Sequence, residues 1–158
     1  MKFAMSPKLP AVPKAFGAVL ACLLLLSASV RAADINLNLE AQLIWGSNDI
    51  PAKNCTNNLV GPKLEQKLKR LPFRWQHYYV VHTRVFNVAP AETANVKMSD
   101  DCEIVVKNIG DARVELSLIG KGQPVGKISQ SLRKGQTLVT GGNAENLTGW
   151  LIVLRQVD

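Results

Sequence analysis

"CEIVVKNIGDARVELSLIGKGQPVGKISQSL" occupies residues 102–132, and its pattern decides the fold class. Apolar and polar side chains alternate along it, which is typical of half-buried β-strands. Glycine-containing stretches at 109–112 and 120–124 interrupt the alternation and predict turns. The segment is therefore expected to run strand, turn, strand, turn, strand. The side chains expected on the buried faces are Cys102, Ile104, Val106, Val114, Leu116 and Leu118.

Further strands are predicted on both sides of this segment. Residues 35–46 begin with alternating apolar and polar side chains, and residues 150–156 are apolar on both faces, as in a central strand. Residues 141–149 are rich in Gly and Asn and predict a long loop before that last strand. With turns at intervals of about ten residues, the chain is expected to form an antiparallel β-sandwich or open barrel of about seven to eight strands.

An aromatic and β-branched stretch at 73–88 predicts one long strand. Its odd-numbered positions, beginning at Phe73, are expected to face the core. Both faces become apolar around 80–84, which predicts a bulge or a buried stretch there. One short amphipathic helix is predicted at 62–72, after the first strand, because a proline stands at each end of a leucine stripe.

The first 32 residues have the composition of an export signal. Three lysines precede a charge-free apolar run at 15–30, and small residues near Ala32 match a signal-peptidase site. We therefore expect a signal peptide at 1–32 and a single β-rich domain at 33–158, exported to the bacterial periplasm or beyond. An uncleaved anchor through residues 15–30 is the alternative, although a spanning helix needs about 20 apolar residues.

The net charge gives no argument for a nucleic-acid partner. The chain carries a formal charge of +7, but four of its 19 basic residues lie in the expected signal peptide. The remaining 15 basic and 12 acidic residues leave +3. No nucleic-acid partner is therefore expected.

Two cysteines, Cys55 and Cys102, lie outside the expected signal peptide. In an oxidising compartment they are expected to form a disulfide, which would close a loop of about 47 residues and stabilise the fold by about 3–4 kcal/mol. Two buried, unpaired thiols are the alternative. Their spacing does not fit a zinc site.

Residues 120–129, "GKGQPVGKIS", look superficially like a phosphate-binding loop. That loop requires a glycine where Lys121 stands and a hydroxyl where Ile128 stands, and Pro124 removes one backbone donor. No nucleotide and no cofactor is therefore expected.

The two histidines, His77 and His82, are five residues apart. On a regular strand they point to opposite faces, so they cannot bind one metal unless a bulge intervenes. No nucleophile or acid–base constellation accompanies them, and no metal site is expected. The chain is therefore not expected to be an enzyme, with a hydrolase as the minor alternative.

Basic and aromatic residues are interleaved between residues 63 and 84, which makes this stretch the strongest binding candidate. Such a mixture suits anionic glycans, lipid headgroups or nucleic acid. Outside the cytoplasm, an envelope polymer is favoured. The simpler interpretation is an amphipathic helix packed on a sheet with solvated charges. The candidate binding surface consists of Lys63, Lys67, Arg70, Arg74, Trp75 and Tyr78.

Residues 100–156 resemble the C-terminal half of small secreted bacterial proteins. The resembling motifs are "CEIVVKN", "GKGQPVGK", "KGQTLVTGG" and the final tryptophan-containing strand, and "LKRLPFRWQHYYV" upstream is also similar. This resemblance implies an exported β-rich domain and carries over no functional residue.

Together these observations predict a non-enzymatic domain of the periplasm or cell envelope that acts as a binding or structural module. Its expected partner is another envelope protein or an anionic envelope polymer. The alternative is an envelope-polymer or carbohydrate-binding module that uses residues 63–84.

Overall fold

The computed structural model describes residues 35–49, 58–144 and 147–158. The expected signal peptide and Cys55 lie outside these residues, so export and the Cys55–Cys102 disulfide stay predictions. Cys102 itself is buried and carries a free thiol. Within the described ranges, no helix is long and apolar enough to cross a membrane.

The described residues form a β-sandwich of two antiparallel sheets, which confirms the expected fold class. The strands are β1 (Leu37–Ser47), β2 (Asn58–Leu59), β3 (His77–Val88), β4 (Thr93–Lys97), β5 (Cys102–Asn108), β6 (Arg113–Gly120), β7 (Gln123–Ser131), β8 (Thr137–Asn143) and β9 (Gly149–Gln156). The five-stranded sheet has the order β2-β3-β1-β9-β8, and the four-stranded sheet has the order β4-β5-β6-β7. We call the face of the five-stranded sheet that points toward the other sheet its inner face.

A sandwich core lies between the two sheets. All six side chains that alternation placed on the buried faces of residues 102–132 are buried in it, because adjacent antiparallel strands keep their apolar sides in phase. Its members include Leu37, Leu39, Ala41, Leu43, Cys102, Ile104, Val106, Val114, Leu116, Leu118, Leu138, Ile152 and Leu154.

A second core lies on the outer face of the five-stranded sheet, where helix α1 (Pro62–Lys69) packs. Leu68 of the helix is fully buried against a cluster that includes Ile44, Leu151 and Val153. Strand β9 is therefore covered on both faces, which explains why its sequence shows no alternation. The helix begins at Pro62 as predicted but ends before Pro72.

Strand β3 contains a bulge, as the sequence predicted. Its twelve residues lie against the eleven residues of β1, and Val81 has no partner because Leu43 pairs with His82 and Ile44 pairs with Val80. The expectation that the odd-numbered positions form the core face is wrong. Tyr78 and Tyr79 are both buried, whereas Val81 is exposed, because both faces of the strand are covered before the bulge.

The turns follow their glycines. Residues 120–123 form a two-residue hairpin in which Lys121 and Gly122 both have positive φ, as a type I′ turn requires.

The long loop expected at 141–149 is shorter than predicted, because β8 continues to Asn143. Gly141 belongs to that strand, where a Cβ atom would collide with the backbone of β9.

Candidate functional site

The structure removes two residues from the candidate binding surface. Trp75 is only 8% exposed and Tyr78 only 1%, so neither side chain is available to a ligand at the surface. Both belong to the core beneath α1, and the Trp75 indole N–H donates a 3.0 Å hydrogen bond to the Leu147 carbonyl. This corrects the sequence-based interpretation: the aromatic residues of the stretch pack the helix onto the sheet.

The four cations of that surface remain exposed, on α1 and the segment after it. The Lys67 ammonium donates a 3.0 Å hydrogen bond to the Thr137 hydroxyl of β8. Lys63, Arg70 and Arg74 form no ion pair with any residue that the structure describes. A basic surface therefore exists, without the aromatic partners that the sequence suggested.

A concave site lies at one end of the sandwich and is lined by residues of both sheets. This end cleft has a volume of about 740 Å³. Leu43 and Cys102, both nearly buried, form its inner end, and Trp150 forms part of the wall on the five-stranded sheet. Val125, 51% exposed, lies on the opposite wall. The cleft therefore combines apolar walls with an opening to solvent.

Polar groups surround the end cleft on both sides. Ser99 and Asp101 come from the β4–β5 turn, Lys121 from the β6–β7 turn, and Asn143 from the end of β8. The backbone N–H of Lys121 donates a 2.8 Å hydrogen bond to the Asp101 carbonyl, which ties the two turns together. The rim on the four-stranded sheet is therefore fixed by the backbone rather than by side chains.

An aromatic row adjoins the end cleft on the inner face of the five-stranded sheet. It consists of Tyr79, Trp45 and Trp150, which lie side by side because Trp45 is the cross-strand partner of both other residues. The rings of Trp45 and Tyr79 are 5.6 Å apart. Trp45 is half-buried and belongs to neither core. Among the described residues, the indole N–H groups of Trp45 and Trp150 have no hydrogen-bond acceptor.

Sequence reasoning did not identify this row. Trp45 and Trp150 stand at opposite ends of the domain sequence, and they become cross-strand partners only through the pairing of β1 with β9. The sequence offered one signal for the row: each tryptophan stands next to a glycine, Gly46 or Gly149, at one end of a predicted strand.

The bulge at Val81 places both histidines on the inner face. His77 pairs with Ser47 and His82 with Leu43, so the two rings are four strand positions apart, or about 13 Å. This separation is too large for one metal ion. In the parts of the chain that the structure covers, no group of three or more His, Cys, Asp or Glu residues could hold a metal.

His82 lines a smaller groove, of about 410 Å³, together with Arg84, Lys97, Ser99 and Asp100. The Asp100 carboxylate pairs with Lys97 at 2.8 Å, which lowers the pKa of that carboxyl. The Nε2 atom of His82 is buried and has no hydrogen-bond partner in the described parts of the chain. The groove therefore holds no base–nucleophile hydrogen bond to His82, and the hydrolase alternative stays a prediction.

Burial also affects the free thiol at the inner end of the end cleft. It raises the pKa of Cys102 above its ordinary value of 9.0, because a thiolate there would lose its hydration. The thiol is therefore protonated at neutral pH and contributes an apolar surface to the end cleft.

Comparison with known proteins gives no relative from which a role could be transferred. The resemblance to small secreted bacterial proteins therefore stays a prediction. No family model, no curated protein and no solved structure matches this chain.

Proposed function

We propose that the chain is an exported, non-enzymatic binding module of the periplasm or cell envelope, and that its ligand occupies the end cleft. The observation that carries this proposal is the cleft itself. Its volume of about 740 Å³ falls within the range of about 300–1,000 Å³ that is common for ligand sites. Apolar walls and a few convergent polar groups are also the usual composition of such sites.

Two further observations support a pre-formed site. The hydrogen bond from Lys121 to the Asp101 carbonyl fixes one rim, and the β8–β9 pairing fixes Gly142 and Trp150 on the other wall. A site on rigid strands and tight turns loses little conformational entropy when it binds a ligand. Export is supported only by the composition of residues 1–32.

The proposal is tested by nuclear magnetic resonance of the isotopically labelled protein with three probes: muropeptides, neutral oligosaccharides and an extended peptide. We expect at least one probe to shift the signals of Lys121, Asn143 and Trp150. A Gly142→Leu variant should suppress the shifts, because its side chain would enter the cleft beside Trp150. Gly126→Leu, where a Cβ meets no atom within 4 Å, is the matched control. If none of the probes shifts the cleft signals, the proposal fails.

A second candidate function uses the basic surface formed by Lys63, Lys67, Arg70 and Arg74. The observation in its favour is that all four cations are exposed and none forms an ion pair among the described residues. Such a surface suits an anionic envelope polymer, whose binding should weaken as salt is added.

Retention on immobilised polygalacturonate tests this candidate. A Lys67→Glu/Arg70→Glu/Arg74→Glu variant should elute at much lower salt than the wild type. A Lys107→Glu/Arg113→Glu/Arg133→Glu variant, with the same change in net charge on exposed sites elsewhere, should elute between the two. Equal elution of both variants would show that net charge alone controls retention, and the basic surface would then not be a specific site.

A further inference from the structure

We propose that the end cleft and the aromatic row form a carbohydrate site for a neutral, flat pyranose chain, with one sugar ring stacked on the indole of Trp150. The inference rests on the proposed function, since it names the ligand of the same cleft. It also differs from the carbohydrate interpretation of residues 63–84, because it uses a different surface.

The aromatic row provides the stacking surface. Tyr79 is only 4% exposed, so the part of the row that a sugar can reach consists of Trp45 and Trp150, which lie on neighbouring strands about 4.8 Å apart. This spacing is comparable with that between consecutive rings of a pyranose chain. A pyranose whose hydroxyls are equatorial presents a face of C–H groups, which packs well against an indole ring. Glucose and N-acetylglucosamine have this shape.

Gly142 leaves the indole of Trp150 uncovered toward β8. It is the cross-strand partner of Trp150, and a Cβ atom there would come 3.9 Å from the indole ring. A side chain at this position would therefore occupy the space beside the ring. Gly142 itself lines the end cleft beside Trp150.

The polar groups of the end cleft favour a neutral ligand. Asp101 and Lys121 contribute one negative and one positive charge, and neither side chain forms an ion pair within the described residues. Together with the Ser99 hydroxyl, they offer both donors and acceptors. Sugar hydroxyls need both, because each hydroxyl donates one hydrogen bond and accepts others. The indole N–H groups of Trp45 and Trp150, which have no acceptor among the described residues, add two further donors.

The test uses the purified chain with the tetramer of N-acetylglucosamine and with cellotetraose as probes. Isothermal titration calorimetry should detect binding of at least one tetraose. Trp150→Ala should weaken the affinity at least tenfold, whereas Trp150→Phe should stay within about threefold, because an aromatic ring remains. Trp45→Ala should weaken the affinity of the tetramer more than that of the corresponding monosaccharide, because only a longer chain reaches the neighbouring ring.

Variants that retain both tryptophans keep the test valid if Trp150→Ala does not fold. Ser99→Ala/Asp101→Asn should reduce affinity severalfold with an unchanged melting temperature, and Gly142→Leu should abolish binding. If the extended peptide shifts the cleft signals and both tetraoses do not, the carbohydrate inference is overturned while the binding module stands. If no probe shifts these signals, both proposals fall together.

Discussion

The indole ring of Trp75 packs directly against Gly149 and occupies the space that a side chain at this position would need. Gly149 of β9 is the cross-strand partner of Gly46 in β1, and a Cβ atom on Gly46 would come 2.7 Å from Trp75 Cε3. The ring therefore covers a pair of glycines on the outer face of the sheet. This arrangement supplies the apolar contacts that glycine itself lacks in a strand.

Substitution of Gly149 by alanine should destabilise the fold. The added methyl group would collide with the Trp75 ring, and such overpacking typically costs about 1–3 kcal/mol. We expect the free energy of unfolding, measured by urea denaturation, to fall by about 3 kcal/mol, the upper end of this range. The matched control is Gly126→Ala on β7, where nothing lies within 4 Å and little change is expected. Equal effects of the two variants would contradict the packing described.

Replacement of Asn108 should separate the two sheets at one edge. This buried side chain on β5 donates hydrogen bonds to the carbonyls of Ile35 (2.9 Å) and Val88 (3.1 Å), and its oxygen accepts from Gly110 N–H (3.1 Å). Asn108→Leu leaves these groups unpaired and should lower the free energy of unfolding by about 2–4 kcal/mol, as measured by urea denaturation. Asn87→Leu, at an exposed position, is the control. If both variants lower the free energy of unfolding by the same small amount, Asn108 does not hold the two sheets together.

Tyr78→Phe should stabilise the protein. The Tyr78 hydroxyl is buried and has no hydrogen-bond partner among the residues that the structure describes, and an unsatisfied polar group of this kind costs about 1–3 kcal/mol. We expect a gain of about 1 kcal/mol in urea denaturation at pH 7. A clear loss of stability would instead show that the hydroxyl is bonded, for example to a buried water molecule.

The stability of the reduced protein should fall at alkaline pH. Burial raises the pKa of Tyr78 above 10.0 and that of Cys102 above 9.0, so both groups ionise first in the unfolded chain. Because the folded state then holds more protons than the unfolded state, stability is full below the unfolded pKa values and decreases as pH rises above them. Denaturation measured from pH 8 to 11 should show this decrease.

Two variants assign the alkaline loss. Cys102→Ala should remove the part that begins near pH 9, and Tyr78→Phe the part that begins near pH 10. A wild-type stability that stays constant over this range would contradict the burial of both groups.

The parts of the fold that depend on local pattern could be predicted from the sequence. Alternation identified the buried faces of β5 and β6, the prolines located the start of α1, and the change of pattern around Val81 indicated the bulge. The burial of Tyr78 was not predicted, and Trp75 was expected both on the core face and in the candidate binding surface, because interleaved aromatic and basic residues suit a binding surface and a helix–sheet contact equally well.

The candidate site was missed for a different reason. Its aromatic row depends on the pairing of β1 with both β3 and β9, which no local pattern specifies. Gly141 was assigned to a loop because glycine usually marks turns. In the structure Gly141 lies within β8, at a position where the backbone of the neighbouring strand leaves no room for a side chain.

The extra residue at Val81 also has a consequence for how this chain tolerates changes in length. Because Leu43 and Ile44 pair with His82 and Val80, removal of Val81 would leave every other pair of the ladder aligned. Removal of any one residue in the second half of β3 would instead exchange the faces of its neighbours. Strand β3 should therefore accept a one-residue deletion at position 81, and a scan of single deletions along β3 would locate the bulge without any structural measurement.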